Sequence, residues 1–213
     1  MLVRDIMTKS VITITSDTYV LDAERILEQN RIGRLPIVDN GKLVGIVTKN
    51  DVLKASPAST TPFNQRQLFY LMSKLTVKEI MKTDVLTISP DTPIEKSVAM
   101  AQQRRVGSLP VVEGDRVVGI LTTNDVFYKI LNPLLGVGEK GKRIIIHGAG
   151  RNEDMERITE FVRKRDLKVK TYWIPPDPIK RDLILHLDID DPSDIITDLR
   201  NEGYEVELRD FTV

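Results

Sequence analysis

Two four-residue stretches carry the side chains best suited to chemistry: Thr48-Lys49-Asn50-Asp51 and Thr122-Thr123-Asn124-Asp125. Each sets a carboxylate three residues after a hydroxyl. At a helix start that spacing is a capping signature, because both groups can take free backbone N–H donors. The same groups suit recognition. A carboxylate accepts hydroxyl donors, and free N–H groups with partial positive charge suit an anion. Other chemistries lack material. The chain has no cysteine, which removes thiol catalysis, disulfides and thiolate metal sites together. Its two histidines, His147 and His186, fall on expected strands with no third ligand at metal spacing, and read as structural. The stretch HGAG at 147–150 fails the dinucleotide-loop test, since Glu153 stands where the third glycine belongs. A turn before a helix capped by Asn152 is the better reading. Tyr172 and Trp173 are strand neighbours that point to opposite faces, so they form no stacking platform.

The elements that must position the two Thr/Asp pairs come in duplicate. Residue i aligns with residue i+74 without a gap from Val3 to Val52, matching Ile6 with Ile80, Met7 with Met81, Pro36 with Pro110 and Gly45 with Gly119. Each copy reads as a short strand (VITIT or VLTIS), then SDT or PDT as a capped helix start. A helix follows, VLDAERILEQNR or PIEKSVAMAQQRR, with Ile94, Val98 and Ala101 on one face. LPIVDNGKLVGIVT then reads as a hairpin whose Asn40-Gly41 supplies the positive φ angles of a tight turn. A last helix opens near Asn50 or Asn124. A β-α-β-β-α unit of this size cannot bury a sound core alone, so two copies packed by a pseudo-twofold are expected to share one. Between the copies, FNQRQLFYLMSK reads as a short linker helix. The expected boundaries are 1–54 for the first repeat, 55–76 for the linker, 77–132 for the second repeat and 139–213 for a further domain.

The paired G-x-LP-V-V…V-G-I-T-x-N-D-V pattern resembles a tandem CBS-domain pair, the Bateman module, over residues 1–132. The resemblance implies a non-catalytic regulatory protein. Its ligands would be adenosyl compounds, namely AMP, ADP, ATP or S-adenosylmethionine, held in two clefts between the copies. In that family the Asp of T-x-x-D bonds the ribose hydroxyls, the Thr and the helix start meet phosphate, and the x-G-x-LP segment of the other copy receives adenine. Carried over by residue, the first cleft uses Ser10, Ile12, Ile32, Gly33 and Arg34 with Ile120, Thr122 and Asp125. The second uses Asp84, Leu86, Val106, Gly107 and Ser108 with Ile46, Thr48 and Asp51. Gly33 and Gly107 lack side chains, so a flat base can approach the backbone. Arg34 stands opposite Ser108 in the alignment, and the first cleft is expected to gain its guanidinium; Lys49 partly compensates in the second. Two other readings stand beside this one: a structural dimerisation module with degenerate clefts, and an enzyme related to IMP dehydrogenase. The second is disfavoured by the missing catalytic barrel and cysteine.

The last third runs strand (KRIIIHG), helix (NEDMERITEFVRKRDL), two strands (VKTYWIPP, RDLILHLDI), helix (PSDIITDLRNEGY), strand (EVELRDF). Met155, Ile158, Phe161 and Val162 share one helix face, and Gly203 is a C-terminal stop. This β-α-β-β-α-β order is that of a ferredoxin-like fold and resembles an ACT domain, which implies an amino-acid effector or subunit pairing. Two CBS copies followed by an ACT-like tail are similar to the acetoin-utilisation protein B family, which implies a link to acetoin or acetate metabolism. The fold class expected is therefore α/β (α+β). Lysine plus arginine equals aspartate plus glutamate, 31 each, so no net field draws the chain to nucleic acid or an anionic membrane. The start, MLVRDIMTKSV, lacks the apolar core of a signal peptide, and no stretch approaches the roughly 18 apolar residues of a membrane span. A cytoplasmic protein with no catalytic cofactor and no metal is expected, a homodimer or higher assembly acting on an unknown regulated protein.

Overall fold

A computed structural model describes residues 1–55, 70, 73–177 and 179–209. They form two compact units, Met1–Val126 and Phe127–Val213. Most of the expected linker helix lies outside the described residues.

In the first unit each repeat contributes an amphipathic helix and a hairpin. The helices are Val20–Gln29 and Ile94–Arg104. The hairpins pair β1 (Arg34–Asp39) with β2 (Lys42–Thr48), and β3 (Ser108–Glu113) with β4 (Arg116–Thr122), both antiparallel. Asn40 and Gly41 both take positive φ, 50° and 80°, which gives the first hairpin the expected tight turn. In the second hairpin only Gly114 of its two turn residues does. The hairpins close the two Thr/Asp pairs into short helices, Lys49–Ala55 and Thr123–Val126. Val20, Ala23, Leu27, Leu35, Ile37 and Val47 pack into the core of the first repeat.

Two sequence expectations change. VITIT and VLTIS are not strands. Each makes a single parallel bridge, Ile14 to Ile37 and Ile88 to Val111. Ile14 donates to the Pro36 carbonyl and receives from Val38. The next donor of a parallel ladder would be the N–H of Pro36, which proline lacks. Pro110 stops the second copy in the same way. The SDT and PDT segments are turns before the helices. The caps are Tyr19 and Pro93, without a side-chain cap bond. The repeats exchange their leading segments, as the placing of Ser10 and Ile12 with Thr122 and Asp125 implies. Thr8 bridges Ile120 of the second hairpin, and Lys82 bridges Ile46 of the first. Val3 donates to Thr92, and Val77 donates to Thr18. Gly45 and Gly119 permit the exchange, because a Cβ on either would strike the sulfur of Met81 or Met7.

The second unit is a four-stranded antiparallel sheet of order β6-β7-β5-β8. Here β5 is Lys142–Ile146, β6 Val169–Trp173, β7 Leu183–Leu187 and β8 Val206–Arg209. With helices Asn152–Lys164 and Ser193–Asn201 this is the ferredoxin-like arrangement. Ile144, Ile146, Leu183, Leu185 and Leu187 form its core with Ile158, Val162, Ile195 and Leu199. Gly203, at φ 90°, follows the second helix as expected. The first helix is capped by Arg151, with Asn152 its first helical residue and no side-chain cap bond. The expected capping by Asn152 is thus corrected. His186 is fully buried beside the Lys140 carbonyl, 3.1 Å from Nε2. His147 lies between Asp182 (3.3 Å) and Glu207 (3.7 Å).

Candidate functional site

The Thr/Asp pairs close reciprocal capping boxes at both helix starts. Asp51 Oδ2 accepts the Thr48 N–H at 2.9 Å and its hydroxyl at 2.5 Å, while the Asp51 N–H points to Thr48 Oγ1 at 3.3 Å. The second copy repeats this with Thr122 and Asp125 at 2.9, 2.6 and 3.3 Å. The other carboxylate oxygens meet different partners, brought in by the exchanged segments. Asp125 Oδ1 accepts the Thr8 hydroxyl at 3.0 Å. Asp51 Oδ1 lies 3.7 Å from Lys82 Nζ. Thr8 and Lys82 occupy equivalent positions of the repeat. Asp125 is the more deeply buried of the two acids.

One cleft of about 450 Å³ gathers most of the second expected set. Ile46, Thr48, Asp84, Leu86, Val106, Gly107 and Ser108 line it, while Asp51 stands beside Thr48 without lining the wall. Gly33 and Arg34, assigned from sequence to the first cleft, line this same cleft. The Arg34 guanidinium lies against Gly107, with Nη1 3.3 Å from where a Cβ would stand; the space beside Gly33 is open. Burial pushes the Arg34 guanidinium below its ordinary pKa, because the charged form loses water. Lys49, Asn50, Lys82, Val85, Arg105 and Pro110 complete the wall. Of the first expected set, Ile120, Thr122 and Asp125 meet at Thr8. Ser10, Ile12 and Ile32 do not line the described cleft. Ile12 and Val106 are both 38% exposed, a high value for apolar side chains.

Sequence reasoning missed Thr8, Lys82 and Arg105. The signal for the first two was the alignment itself, in which Thr8 and Lys82 follow the invariant Ile-Met pair. Only the exchange of segments shows which carboxylate each one meets. Among the described residues no group of three His, Asp or Glu side chains is placed to hold a metal ion. No helix among them is long and apolar enough to cross a membrane.

The architecture of a duplicated hairpin-and-helix unit agrees with comparison to known proteins. Residues 3–58 and 77–132 match the CBS domain, and the chain belongs to the CBS-domain family. A CBS domain-containing protein of Dictyostelium discoideum is 34% identical over 62% of this chain and 95% of its own length. The L-aspartate semialdehyde sulfurtransferase of Methanocaldococcus jannaschii is 36% identical over 59% of this chain, but the match spans 22% of that enzyme. Among solved structures, a Vibrio cholerae protein assigned to acetoin utilization superposes with a TM-score of 0.54 at 34% identity, over 65% of this chain and 95% of that one. The CBS-domain pair of protein MJ0100, crystallised with 5′-methylthioadenosine and S-adenosylmethionine, does so with a TM-score of 0.50 at 34% identity, over 65% and 98%.

Proposed function

We propose that this chain is a non-catalytic regulatory protein that binds an adenosyl ligand between its CBS repeats. The carrying observation is the cleft of about 450 Å³ in which the G-x-LP segments of both repeats meet Thr48. Its size is that of a small-ligand site. Gly33 offers backbone without a side chain, Leu86 and Val106 offer apolar walls, and Asp51 lies one hydrogen bond behind Thr48. The adenosyl compounds bound by the MJ0100 pair support the ligand class. AMP, ADP, ATP and S-adenosylmethionine are the compounds to test. At 100 times its dissociation constant the right ligand stabilises the fold by about 2.7 kcal/mol, which a thermal-shift screen reads directly. No shift with any of them at millimolar concentration refutes the proposal.

A second reading is favoured by the capping boxes. Asp51 and Asp125 already spend one oxygen each on the helix start, so the repeats can serve as a structural dimerisation module alone. We read the second unit as ACT-like from its strand order, with an amino-acid effector at the loop between β5 and the helix Asn152–Lys164. We place the protein in the cytoplasm as a homodimer or higher assembly, a state light scattering reads. Its regulated partner is a separate protein. The link to acetoin utilisation rests on likeness to the Vibrio cholerae protein over 65% of the chain.

A further inference from the structure

We propose that the cleft between Arg34 and Gly107 sorts adenosyl ligands by charge. It accepts those with an anionic 5′ substituent and turns away those with a sulfonium cation, and Arg34 and Lys82 set the preference. This rests on the adenosyl reading above and concerns only the group attached to the 5′ carbon.

The first observation is the charge of the wall. Four cationic side chains line the cleft, Arg34, Lys49, Lys82 and Arg105, against the single carboxylate of Asp84. That carboxylate is 91% exposed and already faces Arg104 at 3.5 Å, so it offsets little inside the cleft. The second observation is the repeat, which supplies its own control. The counterparts of Arg34, Lys49 and Lys82 are Ser108, Thr123 and Thr8. The site around Thr122 and Asp125 keeps the hairpin, the helix start and the Thr/Asp pair with Ser108, Thr123 and Thr8 in place of these three cations. The fold therefore does not require them.

The third observation is the state of Arg34 itself. Its guanidinium is partly removed from water against Gly107, and among the described residues no hydrogen bond or ion pair serves it. A desolvated cation without an anion is costly, and a ligand anion relieves that cost where a ligand cation raises it. Lys82 acts from the other side. Its side chain is 65% exposed and its ammonium stands 3.7 Å from Asp51 Oδ1, which partly neutralises the acid behind Thr48 that could otherwise attract a sulfonium. Bonds between a guanidinium or ammonium and phosphate oxygens are charge-assisted and stronger than neutral ones.

Calorimetry with AMP, adenosine and S-adenosylmethionine tests this on the wild type, Arg34→Lys, and the double variant Arg34→Ser, Lys82→Thr. The double variant copies the residues at the two equivalent positions, Ser108 and Thr8. The wild type should bind AMP at least about tenfold tighter than adenosine, or about 1.4 kcal/mol, and S-adenosylmethionine more weakly than adenosine. In the double variant adenosine should bind within about threefold of wild type, while the AMP preference collapses to about threefold or less. Arg34→Lys should keep most of the preference, since it keeps the charge. An unchanged ratio of AMP to adenosine affinity in the double variant overturns the inference. So does a wild type that prefers S-adenosylmethionine, or an Arg34→Lys protein that behaves like the double variant. Adenosine binding without any charge preference overturns this inference alone. Failure of every adenosyl compound to bind the folded wild type overturns the function proposed above along with it.

Discussion

Replacing Asp125 and Asp51 by alanine, one at a time, should produce unequal losses although the two sit in the same motif. Both variants lose a helix cap, since each Oδ2 holds a Thr N–H at 2.9 Å and a Thr hydroxyl. That term is about 1 kcal/mol in each. Asp125 is 6% exposed, and its Oδ1 also accepts the Thr8 hydroxyl at 3.0 Å. A hydrogen bond to a charged group adds about 1.5–3 kcal/mol. The corresponding oxygen of Asp51 faces Lys82 across 3.7 Å, and that lysine is 65% exposed. Such a pair contributes about 0–1 kcal/mol and fades with salt. Asp125→Ala should therefore cost about 2.5–4 kcal/mol and Asp51→Ala about 1–2 kcal/mol. Urea unfolding followed by circular dichroism measures both. A double-mutant cycle with Thr8→Ala isolates the contact between the repeats, with an expected coupling of at least about 1.5 kcal/mol. Asp125→Asn should cost less than about 1 kcal/mol, because the amide oxygen keeps the cap and the amide N–H can donate to Thr8. Equal costs for the two alanine variants, or a coupling below about 0.5 kcal/mol, would refute the reasoning.

Other measurements reach the rest of the molecule. Asp51→Asn keeps the cap but removes charge beside the cleft, so adenosyl affinity should fall about tenfold with little change in melting temperature; unchanged affinity removes Asp51 from the ligand. Gly141 sits at φ 112°, and a Cβ there meets the Leu187 carbonyl oxygen well inside contact distance. Gly141→Ala should cost at least about 2 kcal/mol, whereas Gly114→Ala, with φ 60° but open space, should cost about 1–2 kcal/mol from backbone strain alone. Similar urea midpoints for the two would count against the close approach. Burial pushes His186 below its ordinary pKa, with the Lys140 carbonyl partly opposing. A folded value below the unfolded one, about 6.5, makes its contribution full above that pH and lost as pH falls through the lowered value. The second unit should thus weaken between pH 7.5 and 5.5 more in wild type than in His186→Gln, and equal slopes would contradict this.

Much of the architecture was legible in the sequence because it rests on local rules. The gapless repeat fixed two equal units. Alternation from Leu35 to Val47 around Asn40-Gly41 fixed a hairpin, since that pair tolerates the positive φ its turn needs. The Thr-x-x-Asp spacing fixed a capping box, because the three-residue reach of a helix turn brings those groups together in any context. The strand-helix order of the last third fixed the ferredoxin-like sheet, with Ile158 and Val162 on the inner face.

Three features depended on contacts between residues far apart in the chain, and no local rule reports those. The short strands failed at Pro36 and Pro110 because the missing donor matters only once Ile14 and Ile88 are laid beside them. The leading segments crossed to the opposite repeat, which gave Asp125 a hydroxyl and Asp51 an ammonium although the two motifs read alike. Arg34 turned toward Gly107, where a residue without a side chain leaves room for its guanidinium, and so brought its charge to the cleft opposite the one its place in the repeat assigned. Sequence determined the groups and their local frames. The packing of one repeat against the other decided which charge each group meets, because electrostatic partners are set by distance in space.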